Sequence, residues 1–187
     1  MKQIVSKELI DKHREINIHD EWYEHEYADF TAAMEEIGVH VERIYFSGFW
    51  SQGDGACFEG HIEDWGKYLC SIGVTDPILI KEANDGWTFS WTQRGRYYHH
   101  KSVNFDDSGV YFPPSPYSED DLRHDVWTAV MGEYDLLKLC EDIREDLEGH
   151  MKRLYRSLED DYNYLTSDEC VRESIIDNDL LTEAEEN

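Results

Sequence analysis

Positive charge is scarce in this chain. Lysine and arginine total 17 against 42 aspartates and glutamates, for a net charge of −25 with histidine neutral. A field of that sign repels phosphate backbones and anionic lipid, which excludes direct nucleic-acid binding and membrane attachment as expected functions. Long apolar runs are also missing: no stretch of 18 apolar residues occurs, so no helix is expected to span a bilayer. The first residues lack the apolar segment of a secretion signal. The four cysteines (Cys57, Cys70, Cys140, Cys170) form no CxxC pair. They therefore read as free, mostly buried thiols of a reducing cytoplasm. No G-x-S-x-G, HExxH or Cys–His signature appears, so no catalytic residue, cofactor or metal is expected.

Aromatic residues are plentiful, with 6 Trp, 12 Tyr and 7 Phe, enough for a compact core built from few elements. Residues 20–37 predict a helix, because Tyr23, Tyr27, Phe30, Met34 and Ile37 recur at spacings of three and four, and Gly38 offers a C-terminal stop. Its other face carries Glu21, Glu24, Asp29, Glu35 and Glu36 with no cation. Residues 41–50 and 56–62 predict a hairpin around a glycine-rich turn, and residues 87–92 and 96–105 a second hairpin turning at Arg94-Gly95. A short helix is expected over residues 63–71, whereas residues 74–83 fit helix or strand. Phe112-Pro113-Pro114-Ser115-Pro116 reads as a stiff linker. Beyond it, a capping box at Ser118 and Asp121 opens a helical beat that runs to about Leu165. That length requires a break near Gly132 or Gly149, or a helix that projects and pairs with another chain. Thr166 with Glu169 predicts the cap of a last short helix, followed by a frayed acidic end.

The expected fold is therefore α+β: a mainly antiparallel four-stranded sheet from two hairpins, packed by helices, with a long C-terminal amphipathic helix. Residues 1–112 would form the α+β domain, and residues 113–187 an acidic helical segment packed on it or projecting for oligomerisation.

Two constellations carry the functional expectations. Carboxylates three or four apart on a helix stand about 5–6 Å from one another, comparable to phosphate spacing along a strand. Glu141, Asp142, Glu145, Asp146, Asp160 and Asp161 are the expected contacts with a basic partner; a solvated helix face is the plainer alternative. The second is Gln52, Gly53, Asp54 and Gly55 together with Arg94 and Arg96. There the glycines expose backbone N–H groups beside the chain's one locally positive patch, which extends through His99, His100 and Lys101 with Tyr97 and Tyr98 interleaved. No Lys or Arg lies between Arg43 and Lys67, which argues against a P-loop, and a tight hairpin turn is the plainer reading. The adjacent pair His99-His100, placed on a strand, would point to opposite faces and not share an ion.

The string Tyr45-Phe46-Ser47-Gly48-Phe49-Trp50-Ser51-Gln52-Gly53-Asp54-Gly55-Ala56 resembles a group of small acidic proteins encoded by bacteriophages. The group is similar again at Tyr162-Asn163-Tyr164-Leu165-Thr166-Ser167-Asp168-Glu169. The resemblance implies a phage origin and a bacterial host cytoplasm, and it carries no site residue onto these positions. The leading expectation is an inhibitor that presents a DNA-like acidic surface to a basic, nucleic-acid-binding host defence protein. The alternatives are a small-ligand protein that binds or sequesters a nucleotide signal, and a structural phage protein that forms a homodimer through its long helix.

Overall fold

A computed structural model of the protein describes residues 5–111 and 135–181. The chain divides into two compact units, one formed by Tyr27–Tyr155 and the other by Met1–Glu26 with Arg156–Asn187.

The larger unit is built on a four-stranded antiparallel meander, β1 (Val39–Phe46), β2 (Ala56–Ile62), β3 (Ser90–Gln93) and β4 (Val103–Asp106), ordered β1-β2-β3-β4. Strand side chains alternate between faces. The register sets Ile44 opposite Phe58, Gly60 opposite Trp91, and Trp91 opposite Phe105, so these share one apolar face. On that face Phe58 meets Trp91 edge-on at 5.3 Å and Phe30 at 5.2 Å, the latter from helix α2 (Glu24–Glu36). Gly60 has to be glycine: a Cβ there would stand 2.1 Å from the His40 carbonyl oxygen. The opposite face is polar. Tyr45 donates to Glu59 at 2.9 Å, Glu59 also accepts from the Gln93 backbone, and His61 stands 3.3 Å from Glu42.

Helix α2 stops at Gly38 (φ +85°), whose carbonyl accepts the N–H groups of Glu63 and Asp64. Asp64 then caps α3 (Trp65–Ser71). The segment at residues 74–83 is helix from Pro77 onward: Asp76 accepts from Ile78 and Leu79, Pro77 occupies the first turn where its missing N–H costs nothing, and α4 (Pro77–Gly86) follows. Trp87 and Phe89 keep the expected alternate burial but precede the strand proper. The return strand is shorter than the expected 96–105. Gly95 turns with φ +83°, a 3₁₀ turn occupies His100–Ser102, and only β4 pairs. Residues 97–99 lie against the 53–55 turn instead of joining the sheet. The first hairpin likewise loses its expected residues 47–50, where Gly48 (φ +100°) and Trp50 (φ +68°) leave extended conformation. A short helix, α5 (Ser108–Tyr111), follows β4.

The long helix α6 (Leu136–Leu165, 30 residues) runs unbroken through Gly149; Gly132, the linker and the Ser118 cap lie outside the described residues. Leu136, Cys140, Ile143, Leu147 and Met151 are buried in the same core as the sheet. Leu154 and Leu158 are buried too, whereas Leu137 of the same helix is 69% exposed. Each buried side chain contributes about 1.5–3 kcal/mol.

The smaller unit holds α1 (Lys7–Lys12), capped by Ser6, and α7 (Asp168–Asp177). Ser167, not Thr166, caps α7, its hydroxyl accepting the Cys170 N–H at 3.2 Å. Thr166 instead donates to the Tyr162 carbonyl, still within the last turn of α6. Val5, Leu9, Ile10, Val171 and Ile175 form a small core. Lys7 and Arg14 converge on Asp168 at 3.0 and 2.5 Å and also pair with Asp11.

Candidate functional site

The six carboxylates expected to contact a partner separate into two kinds. Glu141, Asp142, Glu145 and Asp160 are exposed. Asp142 carries a partner of its own, Lys138, at 2.6 Å. Asp146 is drawn inward: the buried Tyr68 hydroxyl donates to it at 3.1 Å, and His150 stands 3.5 Å away. Burial raises the pKa of Asp146 while His150 and Tyr68 lower it more, leaving the carboxyl below its ordinary range. Asp161 is also partly buried, and desolvation together with nearby Glu26 raises its pKa despite the opposing pull of His25. Lys152, Arg153 and Arg156 interrupt the acidic run. Helix α2 has no such interruption: Glu24, Asp29, Glu35 and Glu36 are all exposed, and it contains neither Lys nor Arg.

The second constellation is brought together more fully than its sequence positions require. A Cβ on Gly53 would stand 2.3 Å from the Tyr97 ring, and one on Gly55 would stand 2.9 Å from the His99 backbone. The glycine turn therefore lies directly against the segment bearing the cations, at a distance only glycine permits. Asp54 closes the turn by accepting the Ser51 N–H at 2.6 Å. Gln52, Arg94 and Arg96 are exposed. Among the described residues neither arginine makes an ion pair. Because residues 97–102 are not strand, His99 and His100 do not diverge; their rings meet at 3.8 Å, tilted by 38°. Burial, with His99, Lys152 and Lys101 nearby, pushes the pKa of His100 down to about 4, so it is neutral at physiological pH.

Two residues of this region carry no motif signal. Trp50 is 73% exposed and holds a left-handed backbone, which a bulky side chain adopts only at a cost of about 1–2 kcal/mol. Tyr97 is 51% exposed. Phe49, buried beneath Trp50, contacts Tyr155 and Phe46 and anchors the loop. Exposed aromatic rings and arginines are the residue types that stack on and pair with planar anions, and Tyr97, Arg94 and Arg96 are all exposed. The patch holds no nucleophile beside a base. The nearest cysteine on the sheet, Cys57, is fully buried, and burial with Glu59 pushes its thiol up to about 12.

The family model described as Domain of unknown function (DUF8835) matches residues 22–168. The chain belongs to this family. No curated protein and no solved structure matches it. The DUF8835 match covers the sheet, the Trp50 loop, the Arg94–Lys101 segment and all of α6. No helix of the described residues is long and apolar enough to cross a membrane.

Proposed function

We propose that this DUF8835 protein is a phage-encoded, non-enzymatic inhibitor that holds a basic, nucleic-acid-binding defence protein of its bacterial host through helix-borne carboxylates. The observation that carries the reading is the two-sided character of α6. Leu136, Cys140, Ile143 and Leu147 are locked in the core, while Glu141, Asp142 and Glu145 stand exposed on the same turns. Charges fixed in this way lose little backbone entropy when a partner arrives, and the −25 field steers cationic surfaces toward them. The phage origin and host cytoplasm rest on the resemblance of the Tyr45–Ala56 string. The inward placement of Asp146 and Asp161 narrows the contact set to Glu141, Asp142, Glu145 and Asp160.

The test is an affinity pull-down from bacterial lysate with the full chain and with a variant carrying Lys at those four positions. A DNA-binding protein held at low salt, released at high salt and lost by the reversed variant supports the reading. Equal capture by the reversed variant ends it.

A second reading is favoured by the Gly53–Tyr97 apposition: binding or sequestration of a nucleotide-like signal at Trp50, Tyr97, Arg94 and Arg96. A cyclic-nucleotide panel that raises the melting temperature, with the rise lost in Arg94→Ala/Arg96→Ala, would give this reading first place.

A further inference from the structure

We propose that His25, Glu26 and Asp161 form a binding site for a divalent transition-metal ion with zinc-like ligand preference. One ligand atom from each of the three side chains lies within 4.8 Å of the other two. The His25 Nε2 atom stands 3.6 Å from Glu26 Oε1 and 3.5 Å from Asp161 Oδ2. Ligands on a tetrahedral ion with bonds of 2.0–2.1 Å stand about 3.3 Å apart, so His25 already stands near ligand separation from both carboxylates. One imidazole with two carboxylates is a donor set that zinc takes readily and that leaves a position for water.

Two further features point to a cation at this place. Asp161 Oδ2 is buried with no hydrogen-bond partner, and the Asp161 side chain is only 17% exposed. An anionic oxygen shut away from water beside a second carboxylate is costly unless a positive charge is near. The other feature is the support of Glu26. The Ser157 hydroxyl, one turn before Asp161 on α6, donates to Glu26 Oε2, which orients the carboxylate and leaves Oε1 toward His25. Hydrogen-bonded support of a ligating carboxylate is the usual companion of a metal site. His25 is 58% exposed and forms the open side through which an ion enters.

The competing explanation is that a protonated His25 alone neutralises the two carboxylates. Titration calorimetry of the full chain and its variants with zinc chloride separates the two. The expected result is one tight ion per chain, with affinity reduced about 10-fold or more in His25→Ala and in Asp161→Asn. Cobalt substitution should give visible absorption in the wild type that both variants lack. Asp161→Asn should also melt higher than wild type without metal, since it removes the isolated buried charge, and should lose the zinc-induced rise; this shows that the variant folds. Affinity equal in wild type and both variants overturns the proposal, because any binding is then diffuse attraction to the acidic surface. Loss of the tight ion in Cys170→Ser but not in His25→Ala overturns it as well.

Discussion

The two compact units are held by different forces. The unit formed by Tyr27–Tyr155 relies on area: Phe58, Tyr68, Phe89 and Trp91 are at most 1% exposed, and the rings of Phe58 and Phe89 both contact Trp91. Among the described residues, the unit formed by the chain's two ends has a cluster of five buried apolar residues, with Trp22 and Leu158 buried outside it. It adds a cluster of exposed ion pairs, with Lys7 and Arg14 shared between Asp11 and Asp168. Burial is insensitive to salt and mild acid, whereas exposed pairs are screened by one and discharged by the other. The same protein should therefore lose one unit's order under conditions that leave the other untouched.

The sharpest way to break that contrast is Phe58→Ala. Removing a ring that meets both Phe30 and Trp91 should cost about 3–5 kcal/mol, read as a large fall in the urea midpoint. A cost below about 1 kcal/mol would mean that the sheet face is not the main source of stability. Tyr68→Phe should cost less, about 1.5 kcal/mol, by removing the hydroxyl that donates to Asp146. Its check is a denaturation curve whose slope is unchanged. Trp50→Asn should stay within about 0.5 kcal/mol of wild type in a thermal melt, because an exposed side chain on a left-handed backbone contributes little to the fold. A larger fall would make the loop structural rather than a binding element.

The smallest effect in free energy, and the most selective, is expected in the ion-pair cluster. Asp168→Asn should speed amide exchange in α1 and α7 and leave the sheet unchanged. Acid should reproduce it. Hydrogen bonds from Arg14 and Lys7 hold the pKa values of Asp11 and Asp168 below the ordinary carboxylate range. Their contribution is therefore complete above the unfolded pKa of about 3.9 and is lost as pH falls through the lower folded values. Asp161 has the opposite sign: its pKa is raised by burial, so its protonation on acidification relieves the fold rather than loosening it. Exchange rates followed from pH 6 to pH 2.5 should show α1 and α7 opening before the sheet.

Much of the architecture is legible from spacing. The three-four beat ending at Gly38 and the alternation of Trp87, Phe89 and Trp91 each state a local preference that the fold keeps, whereas residues 74–83 fit helix or strand alike and the fold takes helix from Pro77. The segment at residues 94–102 is not legible, because Tyr97, Tyr98 and His99 have strand-like character locally, and it is the distant Gly53 and Gly55 that draw them away. Site residues are harder still. A carboxylate flanking an apolar stripe looks the same whether it faces water, as Glu145 does, or accepts from a buried tyrosine, as Asp146 does. His25 and Asp161 meet only because the chain's ends fold together, which periodicity does not encode.

The irregular pairing of β1 between Val41 and Arg43 has a consequence for the protein at high concentration. β1 is the outermost strand on its side of the sheet, where unpaired backbone groups invite another chain to zip on. The extra residue, Glu42, throws the strand's hydrogen-bonding rhythm out of phase midway, and two exposed charged side chains, Glu42 and Arg43, stand side by side at the break. A copy arriving edge-on finds no continuous ladder to extend, and its own Glu42 adds repulsion. The strand that begins the sheet thereby also guards against its growth into fibres.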